Sequence, residues 1–233
     1  MENATPQPPF AWHPGEHVSA IGDTGTGKTY LVSKLVRLRQ YVVVFKTKPD
    51  PDDDAKWRGF HRTQNAKTLD DVRYNHILLD PRYSYQAKEG YAMLDRVWLQ
   101  GGWTVVIDEL WYAERIGLKQ SIERLLTQGR SKGISVILGQ QRPVTTSRFA
   151  ISQTTHLFSF RVEGRDGKTI AESTTPRILP VIDSLQGHDF AYYNRAKRYV
   201  GNGNANRLTK LILPPGKLVA QTIDNRATGT EGR

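Results

Sequence analysis

Near the amino terminus the residues Gly22, Asp23, Thr24, Gly25, Thr26, Gly27, Lys28 and Thr29 combine glycines, a lysine and a hydroxyl at the spacing that wraps a polyphosphate. Glycines let the backbone approach phosphate oxygens with its N–H groups turned inward, and a following helix adds the positive end of its dipole. Lys28 then reaches the β- and γ-phosphates, and the Thr29 hydroxyl ligates Mg²⁺. A second stretch, Trp103 to Glu109, is an apolar run ending in two carboxylates. At the end of a buried strand beside a phosphate loop, Asp108 would hold Mg²⁺ through water and Glu109 would polarise an attacking water as general base. A third stretch ends a later apolar run in Gly139, Gln140, Gln141, Arg142 and Pro143. Either glutamine amide could contact the γ-phosphate or the lytic water, or simply cap the loop.

Such residues need a sheet whose strand ends converge. Residues 17–21 alternate and then run apolar into Gly22, which predicts a buried strand feeding the loop. Leu31, Leu35 and Leu38 follow at helical spacing. Further strands are expected over 41–45, 76–79, 103–109, 134–138 and 155–160, with possible edge strands over 190–193 and 208–213. Helices are expected over 85–100, around Leu118 to Leu126, and briefly near 69–73. The four aspartates between Pro49 and Asp54 read as a solvated loop, and 161–168 as a basic turn. The pattern is α/β, with a mostly parallel central sheet flanked by helices.

Composition narrows the function. With 33 basic residues against 23 acidic ones the net charge is +10, which favours a polyanionic partner. The absence of cysteine excludes disulfides, thiolate zinc sites and cysteine nucleophiles. No run approaches the ~18 apolar residues of a membrane span, so a soluble protein without membrane insertion is expected. Residues 1–15 are proline-rich and extended, with Phe10 and Trp12 as anchors onto the protein's own surface or a neighbouring subunit. Residues 16–193 form the phosphate-binding domain. Residues 194–233 form a basic extension, with Arg195, Lys197, Arg198, Arg207, Lys210, Lys217, Arg226 and Arg233 against Asp224 and Glu231.

Three blocks in this order, residues 22–29, 105–109 and 129–143, resemble the FtsK–HerA superfamily of P-loop ATPases, which includes the small viral and phage genome-packaging ATPases. The third block, a helix ending in arginine and glycine before a strand ending in Gln-Arg-Pro, is the most specific to that superfamily. The resemblance covers roughly residues 16–172. It implies a RecA-like P-loop core, ATP with Mg²⁺, and an ATPase coupled to translocation of double-stranded DNA by a homo-oligomeric ring, a hexamer or pentamer. A capsid portal or vertex protein would be a further partner, with the protein in the host cytoplasm or on the virion. Gln141 takes the sensor position, and Arg130 matches an arginine that acts on ATP bound to a neighbouring subunit, with Arg142, Arg161 and Arg165 as competitors for that role. Two other readings stay open: an ATPase driving protein export or phage extrusion, and a small-molecule kinase. Basic residues of 161–168 and of the tail are the expected DNA contacts.

Overall fold

The computed structural model describes residues 10–48, 52–142 and 148–206. In chain order these form β1 (Val18–Ile21), α1 (Lys28–Leu35), β2 (Val42–Phe45), α2 (Asp53–Lys56), β3 (His61–Thr63), β4 (His76–Leu79), α3 (Gln86–Gln100), β5 (Thr104–Ile107), α4 (Leu110–Ala113), α5 (Lys119–Gln128), β6 (Ser135–Gln140), α6 (Arg148–Ser152), β7 (His156–Ser159), α7 (Arg165–Ser173), α8 (Leu179–Asp183), β8 (Asp189–Asn194) and β9 (Tyr199–Asn204). All strands join one sheet in the order β3-β4-β2-β5-β6-β1-β7-β8-β9. The pairings from β3 to β7 are parallel, and β8 and β9 add an antiparallel hairpin at one side.

The central strands read as unbroken apolar runs because both of their faces are covered. Val43, Phe45, Val105, Ile107, Val136 and Leu138 meet α3 and α5 on one face. Val42, Val44, Val106, Ile137, Val18 and Ala20 meet α1 on the other. This is the period of two that strand geometry imposes. Each fully buried Val, Ile or Leu contributes about 1.5–3 kcal/mol, so the alternating set fixes the register.

Register then decides what stands together beyond the strand ends. Ile21 pairs with Gln140, Ile107 with Leu138, and Phe45 with Ile107. The phosphate loop, Gln141, Asp108 and Lys46 therefore emerge along one carboxyl edge. Gly139 permits this closeness, since a Cβ there would collide with the Asp108 backbone carbonyl. At the opposite, amino edge the arm docks. Phe10 is buried, its ring 5.1 Å from that of His156 and 5.8 Å from that of Phe158. Trp12 lies under the Arg39 guanidinium at 3.7 Å and donates to the Glu16 carbonyl at 2.9 Å.

Several local expectations need correction. The basic turn at 161–168 is a turn only as far as Gly164, after which α7 begins, because Gly167, Ile170 and Ala171 form a buried face. The short helix near 69–73 is a 3-10 turn over Ala66–Asp70, and Asp71 instead binds Arg73. Within the acidic loop, Asp53–Lys56 makes a single helical turn. The hairpin through Tyr199–Asn204 carries the sheet into the segment expected to be a tail. The edge strand expected over 208–213, Pro143 of the third block, and Arg207, Lys210, Lys217, Arg226 and Arg233 lie outside the described residues.

Candidate active site

The phosphate loop leaves β1 at Gly22, whose N–H donates to the Gln140 carbonyl at 3.1 Å. Thr26 closes the turn by donating its hydroxyl to the Asp23 carbonyl at 2.8 Å. Gly27 has φ 104°, a left-handed conformation that a side chain would strain, and from it α1 starts. The loop is hollow on its inner side, and Lys28 occupies the hollow. Its Nζ donates to the carbonyls of Gly22 at 2.5 Å and Asp23 at 2.7 Å. Burial pushes the Lys28 pKa down to about 8, against the opposing pull of the Glu109 carboxylate. An ammonium held in a half-dry pocket with only neutral partners is primed for an anion.

On β5 the two carboxylates are held by lysines from the end of β2. Lys46, whose side chain is 1% exposed, pairs with Asp108 at 3.1 Å. Lys48, half exposed, pairs with Glu109 at 3.4 Å. Burial raises the Glu109 pKa, with Lys48 opposing, so the carboxylate is a stronger base than a solvated one. Glu109 opens into a cleft of about 520 Å³ lined also by Thr47, Lys48, Trp111, Tyr112, Gln141 and Arg142. Gln86 braces its wall, donating to the Thr47 carbonyl at 3.0 Å and accepting from the Tyr112 hydroxyl at 2.8 Å. Thr29 is half-buried in the first turn of α1. A hydroxyl there and a carboxylate at Asp108 are hard oxygen donors, and they fit Mg²⁺ in chemistry.

The carboxyl edge thus gathers Gly22, Asp23, Thr24, Gly25, Thr26, Gly27, Lys28, Thr29, Asp108, Glu109, Gln141 and Arg142. The two glutamines separate: Gln140 is the last residue of β6, buried, its amide donating to Ser19 Oγ at 3.1 Å, and only Gln141 reaches the cleft. Arg161 touches the loop through its carbonyl, which accepts from the Asp23 N–H at 3.4 Å. Arg165 opens α7. Arg130 is not in this group. It is exposed after α5, ahead of β6, where Gly15 packs on it at the amino edge.

Three residues escaped sequence reasoning. Lys46 and Lys48 follow an apolar strand run just as Asp108 and Glu109 do, and that shared position was the available signal. His188 had none: its Nδ1 donates to the Thr26 carbonyl at 3.2 Å from the mouth of the β8–β9 hairpin.

A glycine loop between a strand and a helix, set beside an acidic strand end on a parallel sheet, is the arrangement of the P-loop nucleotide-binding fold, and the chain has the mixed α/β sheet of that class. The resemblance to the viral packaging ATPases is borne out by comparison. DNA packaging ATPase P9 of Enterobacteria phage PRD1 is 29% identical over 160 residues, 66% of this chain and 68% of that protein. Two solved structures of the genome packaging NTPase B204 of Sulfolobus turreted icosahedral virus 2 share the fold. The AMP complex superposes with TM-score 0.68 at 14% identity, covering 83% of this chain and 98% of B204. The ATP-gammaS complex gives 0.67 at 15%, covering 82% and 98%. No protein-family model matches the chain.

Proposed function

We propose that this ATPase is a motor that translocates double-stranded DNA during viral genome packaging. The observation that carries the reading is the 29% identity to a DNA packaging ATPase over 160 residues. The net charge of +10 suits a phosphate polymer as the load.

In this reading Lys28 exchanges its two carbonyl partners for the β- and γ-phosphates of ATP, and the N–H groups from Gly22 to Thr29 line the same phosphates. Thr29 and Asp108 are the residues that would hold Mg²⁺, which supplies charge neutralisation on the phosphates when bound. Glu109, already in the cleft and made more basic by burial, accepts the proton of the attacking water. Gln141, at the cleft wall, senses the γ-phosphate. Arg130 lies at the far edge of its own sheet, so its role is across subunits, supplied to a neighbour's nucleotide in a ring. That arrangement makes residues 16–193 together with β9 the motor domain, with 1–15 as its arm and the rest of 194–233 as a basic extension. A capsid portal or vertex protein would receive the ring, placing it in the host cytoplasm or on the virion.

The test is ATP turnover at low salt with and without long duplex DNA. Turnover should rise with DNA, and Glu109→Gln should still bind ATP while hydrolysing it at least about a hundredfold more slowly. Turnover indifferent to DNA would remove the motor reading. Unchanged hydrolysis in the variant would remove Glu109 as the base.

A further inference from the structure

Large aromatic side chains seldom stand in solvent, yet four of them cluster at the carboxyl edge beyond β4 and β5. Tyr83 is 81% exposed, Tyr85 52%, Tyr91 44% and Trp111 40%. Two contacts tie the segments that carry them together. Tyr112, whose phenol pKa is raised by desolvation and then by the neighbouring Tyr83, joins the turn after β4 to α4. Tyr91 donates its hydroxyl to the Gly117 carbonyl at 2.5 Å, joining α3 to the segment after α4. Arg115 stacks its guanidinium over the Trp111 ring at 5.0 Å.

The charge of this face is one-sided. Of the acidic groups beside it, Asp80 is taken by Arg62 at 3.1 Å and Glu109 by Lys48 at 3.4 Å, and the half-buried Glu114 is also engaged. Arg82 and Arg115 are exposed, and among the described residues neither has a carboxylate within ion-pair distance. Elsewhere on the surface Arg73, Arg96 and Arg148 each hold an acid. Guanidinium groups without acids, interleaved with tyrosine hydroxyls and an indole, donate to phosphate oxygens and pack on sugar.

We propose that the face formed by Arg82, Tyr83 and Tyr85 after β4, with Trp111 and Arg115 after β5, is the track on which the backbone of double-stranded DNA lies. The inference rests on DNA being the motor's load. It sets that load against α4, whose first residue follows Glu109 directly, so the contact borders the cleft of the hydrolytic site. It also moves the DNA contact away from 161–168, where α7 begins.

The experiment uses the full chain, comparing wild type with Arg82→Ala/Arg115→Ala, Tyr83→Ala/Tyr85→Ala and the control Arg161→Ala/Arg165→Ala. Binding of a labelled duplex is titrated across a salt series, alongside ATP turnover without DNA and sedimentation. The double arginine variant should lose about tenfold in affinity per contact near 0.1 M salt. Its log–log salt slope should become shallower by about two. The tyrosine pair should weaken binding without changing the slope. Turnover without DNA should stay at the wild-type level in the two face variants, and sedimentation certifies the fold of all three. Duplex binding by wild type that both face variants retain overturns the track alone, as does a loss confined to the 161/165 control. Face variants that stop self-associating, with duplex affinity intact, overturn it in favour of a subunit interface. A wild type that binds no duplex overturns the track and the DNA-motor reading together.

Discussion

The two edges of one sheet solve opposite problems with similar residues. At the amino edge the two buried histidines and the carboxylate beside them have fixed partners. His17 accepts from the Val136 N–H at 3.1 Å and donates to the Leu126 carbonyl at 3.1 Å, so one neutral tautomer is locked. His156, fully buried, donates to Glu16 at 3.0 Å and accepts from the Tyr192 hydroxyl at 2.8 Å. Burial would raise the Glu16 carboxyl, but donation from the His13 N–H and from His156 outweighs it and holds the group below its usual range. At the carboxyl edge the partners are exchangeable: Lys28 rests on carbonyls, and Glu109 holds a lysine that is half in solvent. A polar network whose every donor is used rigidifies, whereas one resting on weak partners is ready for a ligand.

Substitutions should separate the edges by what they damage. Lys28→Ala should lower ATP turnover about a thousandfold and abolish most nucleotide affinity, with thermal stability kept; near-normal turnover would show that the loop is not the phosphate site. His156→Ala should do the reverse. It takes one donor from the Glu16 carboxylate and the acceptor from the Tyr192 hydroxyl in a buried site, costing about 3 kcal/mol in denaturant unfolding while turnover per folded molecule holds. A loss of turnover equal to that of the loop variant would erase the distinction between the edges. Arg130→Ala, on the structural edge by position, is the case that crosses the line. Turnover should fall about tenfold with ATP binding spared, and mixing with wild type should depress activity more than in proportion. A linear mixing curve would return Arg130 to the amino edge in role as well as place.

The remaining effects are in pH, and they have opposite signs. His17 has its pKa lowered from 6.5 to about 4, chiefly by burial. The unfolded chain therefore takes up a proton that the folded one refuses as pH falls from 6.5 towards 4. Stability should drop over that window, by up to about 3 kcal/mol from this group. Lys28 titrates near 8, and ATP prefers its charged form, so ATP affinity should fall as pH rises through 8 and be flat in Lys28→Arg. Unfolding curves and nucleotide titrations across pH read the two directions. A loss on the same side for both would refute the division.

Much of the carboxyl edge was legible because it is written locally. The phosphate loop is contiguous, and the runs ending in Asp108 and Gln141 carry strand and charge in one stretch. The rest depends on strand order. Lys46 meets Asp108 only because β2 and β5 are neighbours, and a chain separation of 62 residues hides that. Gln140 and Gln141 differ by one residue, so strand parity alone sends the first into the core and the second into the cleft. The Arg161–Lys168 region misled because its charges masked the buried face of Gly167, Ile170 and Ala171. The ends of the β8–β9 hairpin could not be placed on the phosphate loop from either strand alone.

That hairpin has a practical consequence. His188 before β8 touches Thr26, and Ala205 after β9 lies where a Cβ on Gly27 would meet it at 3.6 Å. The next residue, Asn206, is exposed. Since the whole chain contains no cysteine, Asn206→Cys would create a unique thiol beside the phosphate loop. A dye attached there would report nucleotide arrival and departure in real time, with no background labelling to subtract.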